Sequence, residues 1–282
     1  MFIIRFIVWF ALTLGRRASR GLLFPICFYF IIFPAKARAA SRDYLNRALG
    51  RRANLRDIFQ HYFFFASTIL DRVFLLNEQN TLFEVHVQSE EIFKEVTSSG
   101  RSCILIGAHM GSFEVLHALS RNQGHAQTSM VMYEENARNL NTVLKNINPQ
   151  RNPPVISLGK IDSMLKIREA LERGESIGML ADRAISGKKM ISCEFLGGQV
   201  KFPAGPFRLA AILERPIFLM FGLYQGENRY NIYLERLVDL QHVPHSERDV
   251  AIEQSVQQFA RRLEHYCRAS PYNWFNFYDI WK

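Results

Sequence analysis

From residue 102 onward, short apolar runs alternate with amphipathic stretches, and this alternation limits the possible folds more than any other feature of the chain. "SCILIGAH" (102–109), "QTSMVMYEE" (127–135), "PVISLG" (154–159) and "SIGMLADR" (176–183) read as strands. Between them, "SFEVLHALSR" (112–121), "NARNLNTVLKNI" (136–147) and "IDSMLKIREALERG" (161–174) read as helices. The last carries apolar residues at Ile161, Met164, Leu165 and Leu171 and ends at Gly174. A further helix is expected over 205–215, then strands in "PIFLMFGLY" and "RYNIYLERL", then a final helix from about Glu247 to Arg268. Strands that are apolar throughout need cover on both faces. The pattern therefore predicts an α/β fold, with a mainly parallel central sheet flanked by helices. Sites in such sheets form at the carboxyl ends of strands. His109 and the pair Asp182-Arg183 both stand at such ends.

The opening of the chain has a different character. Two apolar runs, Met1 to Leu14 and Gly21 to Phe33, are separated by Arg16, Arg17 and Arg20 and followed by Lys36, Arg38 and Arg42. A helix that crosses a bilayer needs about 20 apolar residues. Each run is shorter, and Pro25 interrupts the second. Three readings compete: a buried core hairpin, a secretory signal cleaved near "AKARAA", and an uncleaved anchor that lies in or dips into the bilayer. A doubled apolar part with three arginines in its middle is unlike a single short signal core. The anchor is the reading adopted: residues 1–45 as a helical membrane anchor, with basic residues facing anionic head groups on the cytoplasmic side, and residues 46–282 as the second domain. "RDIFQHYFFFASTILDRVFLL" (56–76) reads as one helix packed under the anchor or lining an apolar groove, with Phe63, Phe64 and Phe65 in the core.

The formal net charge of +9, from 35 basic and 26 acidic residues, suits nucleic acid, an anionic membrane surface or an acidic protein partner. Nucleic acid is set aside, because the basic residues are spread thinly and no binding motif is present. Cys27, Cys103, Cys193 and Cys267 are scattered without a CxxC pair, which argues against a zinc site and a disulfide framework. No metal site is expected.

"CILIGAHMGSFEVLHAL" (103–119) places His109 five residues before Glu114. That spacing carries little information. Fewer than one such pair is expected by chance from 8 histidines and 26 acids in 282 residues, yet three occur: His86/Glu91, His109/Glu114 and His242/Glu247. Only His109 ends an apolar strand, sits between Gly107 and Gly111, and precedes a helix start with Ser112 as N-cap. An imidazole, with an ordinary pKa near ~6.5, takes a proton from an attacking hydroxyl at neutral pH if a carboxylate holds its other nitrogen. Glu114 is the expected holder, and the helix start after Gly111 is expected to meet the anion. The bland alternative is a capping or surface pair. No GxSxG elbow is present, and Cys103 lies deep in a strand, so direct attack by a bound hydroxyl is expected rather than a covalent enzyme intermediate.

These residues resemble a known family. "GAHMGSFE" is similar to the H-x-x-x-x-D/E block of membrane acyltransferases. "EFLGGQVKFPAGPFRLAAILERPIF" (194–218) resembles a second block of the lipid A late-acyltransferase family, with Phe195, Gly197, Pro203, Gly205, Leu209, Ala210 and Pro216 in order. The resemblance spans the chain. It implies a glycerolipid acyltransferase-like fold and an enzyme on the cytoplasmic face of a bacterial inner membrane. Such an enzyme moves a fatty acyl group from acyl carrier protein, or acyl-CoA, to a hydroxyl of a membrane lipid. It implies His109 as base, Glu114 as its orienter, and Asp182-Arg183 in the substrate site; Gly111, Ser112 and Arg208 are further candidate substrate contacts. No cofactor is implied. The ending "SPYNWFNFYDIWK" (270–282) departs from lipid A enzymes: it lacks their basic run and carries Asn273, Trp274, Asn276 and Asp279 instead. That leaves the acceptor open, an aryl polyene or other envelope glycolipid included. Two other functions stay in view: a thioesterase using the same pair on water, and a non-catalytic membrane-surface protein.

Overall fold

The computed structural model describes residues 2–98, 102–115, 128–133, 154–159, 162–183 and 189–282. The apolar opening forms a kinked helical segment, α1 (Phe2–Ile32). It continues through Pro25 and breaks instead at Gly15 (φ 78°, ψ 168°), a backbone conformation that glycine adopts without strain. Helix α2 (Ala35–Leu49) follows at a bend of 97° and stops at Gly50, whose φ is 65°. Helix α3 (Leu55–Leu76) starts on a capping box: Asn54 Oδ1 accepts from Asp57 N at 2.9 Å, and Asp57 Oδ2 accepts from Asn54 N at 2.8 Å. No single described helix is long and apolar enough to cross a membrane; α1 from Val8 and α2 meet that measure only as a bent pair.

Val8, Ala11 and Leu23 of α1 bury with Leu70, Val73 and Phe74 of α3. Arg16 goes in with them. It was expected to face head groups, but it is 9% exposed and forms a bidentate pair with Asp71, at 2.7 and 2.9 Å. Its guanidinium also donates to the Glu227 carbonyl, and Tyr230 Oη donates to Asp71 Oδ2 at 2.7 Å. Asp71 and Tyr230 both need partners in this buried setting, and Arg16 completes the set. Arg20 donates to the same carbonyl at 3.0 Å, while Arg17 is exposed.

The strands are β1 (Glu84–Val87), β2 (Ile104–Gly107), β3 (Thr128–Tyr133), β4 (Val155–Leu158), β5 (Ser176–Leu180), β6 (Met190–Phe195), β7 (Gly198–Pro203), β8 (Ile217–Tyr224) and β9 (Arg229–Val238). The helices among them are α4 (Glu90–Ser98), α5 (Ser163–Glu172), α6 (Gly205–Leu213) and α7 (Arg248–Ala269). Among the described residues, seven strands make one sheet in the order β1-β9-β8-β2-β5-β3-β4. Every neighbouring pair is parallel except β8 with β9. The expected mainly parallel α/β sheet is therefore what forms. The continuation of the helix expected over 112–121, beyond the helical turn at 113–115, and the whole of 136–147 lie outside the described residues. The hairpin β6–β7 stands apart from the main sheet, in a stretch where the sequence reading assigned no strand.

The central strand β2 shows why both faces are covered. Ile104 and Ile106 point into a core with Phe207 of α6 and Val256 and Phe259 of α7. Cys103 and Leu105 point into the opposite core, with Phe74 of α3 and Phe218. Just past β2 the chain crosses closely over β8. A Cβ at Gly111 would lie 2.0 Å from Gly222 O, and one at Gly222 would lie 2.4 Å from Ser112 O. Only a pair of glycines permits that crossing, and it fixes where His109 stands.

Candidate active site

Strand pairing brings the site together. β2 and β5 are parallel, with Gly107 opposite Leu180. Two residues farther along each chain stand His109 and Asp182, again side by side and on one face. His109 Nδ1 lies 2.9 Å from Asp182 Oδ1, and the His109 backbone N–H donates to Asp182 Oδ2 at 3.1 Å. The Asp182 side chain is fully buried, whereas that of His109 is 37% exposed. Burial alone would push the Asp182 carboxyl up; His109 and Arg183 beside it outweigh that and hold it below the usual carboxylate range. An ionised Asp182 keeps the proton on Nδ1. Nε2 then carries the free lone pair, and it takes no hydrogen bond among the described residues.

This arrangement corrects the expected pairing. Glu114 does not hold His109. The helical turn at 113–115 carries Glu114 toward α3, where its carboxylate meets Arg72 Nε at 2.7 Å and accepts from Ser112 Oγ at 3.1 Å. The amides expected to greet an anion are also occupied: Gly111 N donates to Asn273 O at 2.9 Å and Ser112 N donates to Gly222 O at 2.8 Å. Arg183 does join the cluster. Its Nε lies 3.9 Å from Asp182 Oδ2, Nη2 donates to Phe275 O at 2.7 Å, and the guanidinium sits 4.9 Å above the Tyr278 ring. Arg208 does not join it: it lies on α6 and pairs with Asp249 at 2.9 Å. Cys103 is buried, with its thiol pushed up to about 11 by burial, the state of a core residue rather than a nucleophile.

The segment after α7 packs against the site. Phe275 N donates to His109 O at 2.8 Å, and Met110 forms a β-bridge with Trp274. Asn273 caps the end of β8 as a strand would: its side chain accepts from Tyr224 N at 2.8 Å and donates to Tyr224 O at 3.0 Å. Trp274 Nε1 donates to Asp182 Oδ2 at 3.1 Å. Sequence reasoning noted these residues as a departure but gave them no role. Their density of Asn and aromatic residues in a stretch without periodicity was the available signal.

The chain matches the bacterial lipid A biosynthesis acyltransferase family over residues 2–282. It belongs to that family. The protein is an acyltransferase, and its acceptor class is a lipid in the general sense of the family. Among solved structures it is similar to the 1-acyl-sn-glycerophosphate (LPA) acyltransferase PlsC from Thermotoga maritima. The two are 18% identical over 88% of this chain and 98% of that one, with a TM-score of 0.38, a loose likeness. No curated protein matches the chain. In this acyltransferase the polar residues gathered at the ends of β2 and β5 are a held imidazole, its carboxylate and a guanidinium.

Proposed function

We propose that this acyltransferase moves a fatty acyl group from an acyl carrier protein thioester to a hydroxyl of a membrane lipid, with His109 as general base. The observation that carries this reading is the His109–Asp182 pair, buried at the carboxylate and open at the imidazole. Nε2 takes the proton of the acceptor hydroxyl as its oxygen attacks the thioester carbonyl. Asp182 holds the ring in one tautomer and stabilises the imidazolium. The C–S bond then breaks, and the carrier thiolate takes the proton back from Nε2. Arg183 is assigned to anionic charge on the substrate, because its partly exposed guanidinium stands beside the His109–Asp182 pair. The apolar second half of α1, where Phe28, Tyr29 and Ile32 are exposed, is assigned with the following Phe33 to the cytoplasmic face of the inner membrane. The acidity of acyl carrier protein suits the net charge of +9.

The test is an assay with labelled acyl carrier protein thioester, with and without a lipid acceptor. Transfer to lipid, abolished by His109→Ala in a protein that still unfolds cooperatively, is the expected result. Release of free acid at the same rate without acceptor indicates a thioesterase. Near-normal turnover of folded His109→Ala removes His109 from the chemistry.

A further inference from the structure

Asp182 accepts three donors, one on Oδ1 and two on Oδ2. Oδ1 takes His109 Nδ1–H at 2.9 Å. Oδ2 takes the His109 backbone N–H and the Trp274 indole N–H, each at 3.1 Å. The indole is not free to swing away. Trp274 is fully buried and packs edge-on against Tyr44 and Phe195, with centroids 4.9 and 5.3 Å apart. Its carbonyl lies 2.8 Å from His61 Nε2. His61 is itself buried, and burial pushes its pKa down to about 4, so the ring is neutral. Nε2 must then donate to the Trp274 carbonyl, and Nδ1 accepts from Ser41 Oγ at 2.8 Å. A run of hydrogen bonds from α2 through α3 thus fixes the tryptophan that touches the carboxylate.

We propose that Trp274 is a positioning residue of the transfer reaction: its N–H draws charge from Asp182 and so sets how readily His109 takes a proton. The proposal rests on the reading of His109 as base. A carboxylate that shares its charge with an extra donor stabilises a neighbouring imidazolium less. Removing the donor leaves more negative charge for His109, and the imidazole then holds its proton to higher pH. The other titratable or charged groups around Asp182 are Arg183, Tyr278 against that guanidinium, and Cys267; His61 stands behind the indole. None of them changes when only the indole N–H is removed.

The experiment replaces Trp274 with 3-benzothienylalanine, which keeps the bicyclic shape and has sulfur in place of the N–H. Trp274→Phe serves as a second, genetically simple variant. The full-length protein is assayed for kcat/KM against pH with acyl carrier protein thioester and lipid acceptor. In parallel, the His109 imidazole is titrated by NMR. In both variants the acid limb and the imidazole titration are expected to move upward together, by about half a pH unit or more. An imidazole titration that stays in place in the folded benzothienylalanine protein overturns the proposal, whatever happens to turnover. The reading of His109 as base fails differently: His109→Ala then keeps its turnover, while the NMR titration still reports on Trp274.

Discussion

Which carboxylate serves His109 is decided by strand register, not by distance along the chain. Glu114 is five residues away and points to Arg72; Asp182 is far away in sequence and lies 2.9 Å from Nδ1. The sequence did place both His109 and Asp182 at strand ends, because apolar runs betray buried strands. It did not show that β2 and β5 are neighbours, with Gly107 opposite Leu180, and that pairing alone brings the two side chains together. The consequence is testable. Asp182→Asn should lower turnover by roughly 10²–10⁴-fold, because an amide no longer enforces the tautomer or stabilises the imidazolium. Glu114→Gln should leave the acid limb of the pH profile in place, since its carboxylate makes no contact with the imidazole among the described residues. A limb that moves with Glu114→Gln and not with Asp182→Asn would restore the pairing first expected from sequence.

Periodic helices were legible, whereas the β6–β7 hairpin, helix α4 and the irregular segments were not. Helices α3, α5, α6 and α7 fall within a few residues of where periodicity put them. The segment at 273–276 has no period to read, yet it supplies the bridge to Met110, the cap on β8 and the donor to Asp182. Composition also misled at α1. Arginines between two apolar runs suggest a membrane surface, but Arg16 is spent inside the protein on Asp71, because α3 and β9 leave a buried carboxylate and phenol there. That pair gives an element-scale prediction. Arg16→Met should destabilise the protein by about 3–5 kcal/mol, since it strands a buried carboxylate beneath α1. Chemical denaturation in detergent would measure it, and a loss below about 1 kcal/mol would show that α1 is held by its apolar face alone.

For the molecule as a whole, charge and exposed apolar surface point to different partners. In the proposed reaction, the net charge of +9 is matched to a soluble acidic donor and the exposed aromatic side chains of α1 to the bilayer. If encounter with acyl carrier protein is electrostatically steered, kcat/KM for that donor should fall several-fold as ionic strength rises from about 0.05 to 0.5 M. The maximal rate at saturating donor should change little over the same range. Stopped-flow or steady-state assays at fixed acceptor separate the two. The packing of residues 273–276 against the site also sets a kinetic order. The His109 turn is tied to Asn273 and Phe275, the Tyr44 hydroxyl to Pro271, and Arg16 to Glu227, all across long stretches of chain. Contacts so remote along the chain form late, because loop closure must precede them. On refolding, helical signal should return well before activity, and a chain interrupted anywhere before the tryptophan would be folded in part and chemically silent.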